Sequence, residues 1–344
     1  MKVTIKLETL RDAVARILQC HEFSAEHSLI VSNSLVEAEA KGVTSHGILR
    51  LQSYISDIKD GILIPGASPK VISSKGSVTV LDGKNCSGII AGIFSADLTV
   101  NVAREHGVAF TVVRNIHHSG MLEYFTESIS KSGLIGIAMC NAHPVVAPPG
   151  GKTGILGTNP ISFSSTGNDE RFSFDFAISE SSFGKIRLAM KNREEILPSW
   201  AVDKEGRPTS KPGEAIDGAL MPFGGYKGFG LGMIVDIMAG LLSGSAAGPD
   251  VITWNDKKKK WNNGMLIVAI DYSYFTSPFA FKTSLDKYIQ NVRKKIPNNH
   301  IPGDRRNESY VISQSNGITI SEEMLKEINE LLFECKIDLK LVQQ

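Results

Sequence analysis

At about residue 76 the hydrophobic period of the chain changes, and that change limits the fold more than any single motif does. Before it, apolar residues recur at helical spacing. Leu10, Val14, Ile17 and Leu18 share a face behind a capping Thr9, and Leu29, Leu35 and Val36 follow a second cap at Ser24. After it, "SVTVLDG", "GVAFTVVRN", "GLIGIAMCN", "NPISFSS" and "FSFDFA" are short β-branched or apolar runs bounded by Gly, Asn or Pro, the pattern of strands. Helical stretches around "GIIAGIFSADLTVNVARE" and "LEYFTESISK" separate the first three, so the region reads as mixed α/β. Residues 180–261 are irregular and then helical, "GMLIVAIDYS" returns as a strand, and the tail from Phe281 is helical around a loop at "PNNHIPGDRRNES". The expected plan is a mixed α/β sheet domain of about 76–179 with 262–285, inserted into a mainly helical domain of 1–75 with about 180–261 and 286–344.

Formal net charge is +1, which gives no long-range field for nucleic acid or an anionic membrane. Cys20, Cys86, Cys140 and Cys335 form no C-x-x-C pair and read as reduced, mostly buried thiols. The N-terminal "MKVTIKLETLRDAV" lacks the apolar run of a signal peptide. "FGLGMIVDIMAGLL" is too short for a bilayer and carries Asp236, so it reads as a buried helix. The lysine run in "WNDKKKKW" (254–261) reads as a solvated loop. A soluble cytoplasmic protein is expected.

The stretch "AKGVTSHGILRLQSY" holds the strongest chemistry. With Ser45 as N-cap, His46 and Gly47 open a helix on which His46, Arg50, Ser53 and Asp57 share a stripe, while Ile48, Leu51, Ile55 and Ile58 lie about 150° away. One turn, roughly 6 Å, separates histidine from arginine. Arginine offers a planar fork matched to a carboxylate, and histidine exchanges a proton near neutrality. Such a pair can hold a 2-oxo or 2-hydroxy acid by its carboxylate while the ring reaches the neighbouring oxygen. Taken alone, the two can equally be ordinary surface residues.

Other segments are weaker. "VVRNIHHSGMLEY" sets His117 and His118 just past a strand end, a usual place for catalysis. With His143 they make a metal-dependent lyase or hydrolase conceivable, although the spacing matches no zinc pattern. "PFGGYKGFGLGMIVDIMAG" surrounds Tyr226 and Lys227 with glycines, either to bring backbone N–H groups to a phosphate or to pack a helix closely. It is neither G-x-G-x-x-G after a strand nor a Walker A sequence. "FSFDFAISES" and "LGTNPISF" can line a pocket or be plain turn chemistry.

Taken in order, "KGVTSHGILRL", "VRNIHHSG", "GTNPISF", "FDFAIS…GKIRLA", "PFGGYKGFGLGMIVDIMAGLLSG" and a weaker "IPGDRR" resemble the malate/L-lactate dehydrogenase family that is unrelated to Rossmann lactate dehydrogenases. Its members include ureidoglycolate, sulfolactate and diketogulonate dehydrogenases. The resemblance implies a non-Rossmann fold, a homodimer, NAD or NADP as hydride carrier, and a small 2-hydroxy or 2-oxo acid as substrate. By position it makes His46 or His118 the acid/base and sets Ser45 and Arg50 on the substrate. Thr158, Asn159, Asp175, Phe176, Ala177, Ile178, Ser179, Tyr226, Lys227, Gly303 and Asp304 fall where the family holds the dinucleotide; no metal is implied. The chain departs from the family pattern with His117 for Asn, Ser119 for Phe, Ala142 for Ser and Asp304 for Glu. The altered loop at His117–Ser119 leaves room for a cyclic imino acid as substrate; a non-catalytic dinucleotide-binding or interaction protein on the same scaffold is a third alternative.

Overall fold

The computed structural model describes residues 2–342. In chain order its main elements are β1 (Lys2–Ile5), α1 (Leu7–Cys20), α2 (Ala25–Ala40), α3 (Arg50–Lys59), β2 (Lys70–Lys75), β3 (Val78–Asp82), α4 (Gly88–His106), β4 (Val108–Ile116), α5 (Glu123–Lys131), β5 (Ile135–Cys140), β6 (Ile161–Thr166) and β7 (Arg171–Phe176). There follow α6 (Phe183–Asn192), β8 (Ala201–Val202), α7 (Pro212–Asp217), β9 (Ala219–Leu220), α8 (Tyr226–Val235), β10 (Asn263–Ile270), α9 (Pro278–Arg293), α10 (Asp304–Asn316), β11 (Ile318–Ser321) and α11 (Glu322–Glu334).

The main sheet runs β2-β3-β4-β10-β5-β6-β7. Only β3 and β4 pair in parallel, and α4 is the crossover that such a pair requires. β10 sits in the middle, antiparallel to both β4 and β5. Its side chains alternate with the period of two that a strand imposes. Met265, Ile267 and Ala269 join the large core under α4 and α5, while Leu266 and Val268 join a smaller one with Val235 and Ala239. Helices therefore cover both faces of the sheet, which is why this strand reads as a continuous apolar run. A separate small core formed by Val146, Leu156, Ile178, Ile186 and Leu220 underlies α6, α7 and the β8–β9 ribbon.

The strands expected from "SVTVLDG" through "GMLIVAIDYS" are all present, as are α4 and α5. Four other expectations change. Residues 1–75 include the strands β1 and β2. Helix α1 starts two residues before Thr9, with Lys6 at its N-cap; Ser24 does cap α2, accepting from the His27 N–H. Asp304, expected in a loop, opens α10 behind Gly303. The helical run from Tyr226 reaches Ser243, which by length and composition alone suffices to cross a membrane, yet Val235 and Ala239 pack it onto the sheet.

The cysteine reading also needs correction. Cys86 and Cys140 are buried free thiols, but Cys20 and Cys335 form a disulfide. β1 pairs with β11, which returns α11 to α1 and brings together two cysteines 315 residues apart. No spacing rule connects positions so distant in sequence. Closing so long a loop restricts the unfolded chain, and such a bridge typically contributes about 2–4 kcal/mol. Cys20→Ser is expected to lower stability by about that amount, read from the denaturant midpoint. Identical midpoints for wild type and variant would show that the bridge contributes nothing.

Candidate active site

Helix α3 and the end of β4 meet to form the site. The turn before α3 is not the expected helix start: Thr44–His46 is a single 3₁₀ turn, and α3 begins only at Arg50. The cause lies beneath it. The buried Glu39 carboxylate accepts the Ile48 N–H at 3.0 Å, and a Cβ on Gly47 would run into that carboxylate. Glycine is therefore required after the histidine, and burial pushes Glu39 up to about 7. The turn leaves Ser45 free to bond the His46 Nδ1 through Oγ at 2.9 Å. Arg50 reaches back to donate from Nε to the Ser45 carbonyl at 2.7 Å. Among the described residues its two terminal nitrogens make no hydrogen bond. The expected apolar stripe is buried, with Ile48, Leu51 and Ile55 in the core.

His118 stacks against His46, with centroids 5.4 Å apart and planes 27° from parallel. Its Nδ1 accepts the Gly120 N–H at 3.3 Å, so the ring proton belongs on Nε2. The buried Tyr54 hydroxyl then donates to the same Nδ1 at 2.7 Å. Burial first, and the Arg50 charge second, hold His46 at about 4 and His118 well below its ordinary value. The same two causes hold His143 at about 4. All three rings are neutral at pH 7, beside an arginine. His117 turns away: its Nε2 meets the Asp57 carboxylate at 3.0 Å and its face lies on Trp261, 4.1 Å between centroids.

These partners answer the metal alternative. His117, His118 and His143 form no metal-ligating group among the described residues; the donor atoms that do converge belong to Cys20, His21 and Cys335, two of them joined in the disulfide.

The residues expected to hold a dinucleotide fall into two linked segments and a groove. The Ile178 carbonyl accepts from the Phe223 N–H at 2.9 Å, and Ser179 bridges to Pro222. These contacts tie 175–179 to the glycine turn that carries the exposed Tyr226 and Lys227 at the start of α8. In that turn Gly224 and Gly225 adopt φ +57° and +63°. Gly303, Asp175, Phe174, Arg305 and Arg306 line a groove of about 410 Å³. Phe174 stacks on Phe176 at 4.4 Å, while Ala177 is half-buried. Arg306 donates to the Asp175 carbonyl at 2.9 Å and to the Glu123 carboxylate, and burial pushes Asp175 up to about 6.

Some expected ligands are committed elsewhere. Asn159 accepts from the Ala142 N–H at 3.1 Å and donates to the Gly232 carbonyl at 2.9 Å. The Thr158 carbonyl accepts the Ile178 N–H, the Ile178 side chain is fully buried, and Asp304 is clamped by Arg293. Sequence reasoning missed Tyr54, Glu39, Glu123 and Arg306. Tyr54 stands one turn beyond Arg50, and Arg306 follows Gly303-Asp304 directly, so both lay within reach of motifs already singled out. It also dismissed the 254–261 loop, from which Lys257 pairs with Asp57.

Residues 5–329 match the malate/L-lactate dehydrogenase family. The malate/(S)-sulfolactate dehydrogenase of Methanothermus fervidus is 32% identical over 335 residues, covering 97% of this chain and 99% of that protein. The solved sulfolactate dehydrogenase of Methanocaldococcus jannaschii superposes with a TM-score of 0.92 at 30% identity, covering 97% and 98% of the two chains. The Δ1-piperideine-2-carboxylate reductase of Pseudomonas syringae gives 0.87 at 29% identity, covering 95% and 99%. An arginine fork beside two neutral, stacked histidines is thus set in the fold of an oxidoreductase, and the chain belongs to the malate/L-lactate dehydrogenase family.

Proposed function

We propose that this protein interconverts a small 2-hydroxy acid and its 2-oxo acid, with NAD or NADP as hydride carrier. The observation that carries the reading is Arg50, its terminal nitrogens unpartnered among the described residues, beside the stacked His46 and His118. The fork holds the substrate carboxylate in two parallel hydrogen bonds. His118 directs Nε2–H at the C2 oxygen. The His46 ring, bonded to a serine hydroxyl that can donate or accept, takes either tautomer and moves the proton. The groove fits a dinucleotide because Arg305 suits its phosphates and Phe174, stacked on Phe176, suits its adenine. When bound, the nicotinamide gives or takes the hydride at C2.

Arg187 favours a substrate with a second anionic group. It lies one turn beyond Gly184, where an added Cβ would stand 4.0 Å from Ser45, and after burial its charge helps lower the Arg50 pKa. Two relatives are named for malate and sulfolactate, which fit this reading. The same grip serves a cyclic imino acid, supported by the reductase to which the chain is similar.

We also propose a homodimer. On the helical run from Tyr226 to Ser243, Met233, Ile234, Ile237, Leu241 and Leu242 are 46–60% exposed, an apolar face of the kind a partner covers.

Five outcomes are expected. His46→Ala and His118→Ala each lose about 10²–10⁴ in kcat while dinucleotide binding persists. A neutral base is present above its lowered pKa, so kcat/KM for hydroxy acid oxidation is level through neutrality and falls in acid toward the His46 value of about 4. Wild-type turnover by both variants ends the mechanism. In steady-state kinetics Arg50→Lys raises substrate KM by about 10–100-fold, and Arg187→Ala harms malate or sulfolactate turnover more than lactate turnover. Equal effects on all three acids would refute the second anion. In sedimentation, Ile237→Asp with Leu241→Asp yields a monomer; an unchanged mass places the interface elsewhere.

A further inference from the structure

Two consecutive histidines are gripped by one helix. Tyr54 holds His118 and, three residues on, Asp57 holds His117 at 3.0 Å. These bonds fix the rotation of the 117–118 peptide against α3, and with it the distance between Arg50 and His118. The His117 Nδ1 is buried and has no hydrogen-bond partner among the described residues, so the one side-chain hydrogen bond on that ring is to Asp57.

Asp57 is itself only 3% exposed, and a neutral imidazole N–H does not compensate a buried carboxylate. The missing charge comes from Lys257, whose Nζ lies 2.5 Å from the Asp57 Oδ1. The same loop lays Trp261 flat on His117, and Asn85 anchors it by donating to the Trp261 carbonyl at 3.0 Å. At its other end Trp254 lies under Arg187, 5.6 Å from ring centre to guanidinium carbon.

We propose that Lys257 and Trp261 act with Asp57 and His117 as positioning residues, so that the 254–261 loop braces His118 to donate its Nε2–H to the C2 oxygen. The brace rests on the function proposed above, but part of its test does not.

Lys257→Met should lower kcat by about 10–100-fold, the range of outer-shell losses at supported sites, with dinucleotide KM unchanged. Lys257→Arg, which keeps the charge, should stay within about threefold of wild type. In the Lys257→Met/Asp57→Asn double variant the losses should combine to less than the product of the singles. A purely structural role would shift thermal stability without this split between kcat and KM. Hydrogen exchange supplies the readout independent of turnover: amides at 254–261 and 117–120 should exchange faster in Lys257→Met. Unchanged exchange, or wild-type kcat in Lys257→Met, overturns the brace. A wild-type protein inactive on every 2-hydroxy and imino acid, yet showing the exchange change, overturns the function and keeps the brace.

Discussion

The amine of Lys41, its side chain 3% exposed, joins the parts of the site. It lies 3.0 Å from Glu37, 2.9 Å from Glu127 and 3.6 Å from Glu123. Glu123 passes the connection to Arg306, and Arg306 to Asp175. This chain of charges ties α2, which leads into the Ser45–His46 turn, to α5, β7 and α10, which shape the groove. Taking such charges out of water costs several kcal/mol each, and removing one member of a buried set typically costs about 3–5 kcal/mol. Two cations face four carboxylates, and the excess is relieved where burial pushes Glu127 and Asp175 upward while Lys41 and Arg306 hold Glu123 down. The network stabilises a particular arrangement more than it adds net stability.

On that scaffold the electrostatics favour an acid as ligand. Arg50 and burial together strip the histidines of protons, leaving a site that is cationic yet poor in exchangeable protons. A carboxylate settling on Arg50 offsets the charge that lowers both pKa values, and opposite charge nearby raises the basicity of each ring. In the proposed reaction, substrate binding thus returns the histidines toward the range where general acid/base work is effective. A neutral ligand leaves them where they are.

Local patterns were legible and distant pairings were not. The runs of β4, β5 and β10 were legible as short, continuous apolar segments opened by Gly, the pattern of strands covered on both faces, and α3 could be read because Ile48, Leu51 and Ile55 repeat at helical spacing. The ordered motifs led to His46, Arg50 and His118. The expected cap at Ser45 failed because Glu39, on another helix, takes the Ile48 N–H. The Cys20–Cys335 bridge, β1 with β11, and Lys257 on Asp57 join residues 200 or more positions apart. Lysines 257–260 look alike in sequence; only the fold sets the first of them against a buried carboxylate.

The departures beside His118 act through the protein interior. His117 is committed to Asp57 and Trp261, and the Ser119 hydroxyl lies buried against the Cys140 thiol at 3.2 Å. Neither side chain is free to meet a substrate in this arrangement, so exchanging Asn for His and Phe for Ser alters what supports the neighbouring His118 ring. Direct contact with the acid falls to groups on the open side, where Arg187 on α6 stacks over Trp254 of the bracing loop. One loop therefore touches both regions: its Lys257 end pairs with Asp57 and its Trp254 end lies under Arg187, the cation proposed to read the far end of the substrate. On the proposed reading, a change of loop sequence that moves one contact bears on the other, so substrate choice and the placing of His118 are tied to the same eight residues, 254–261.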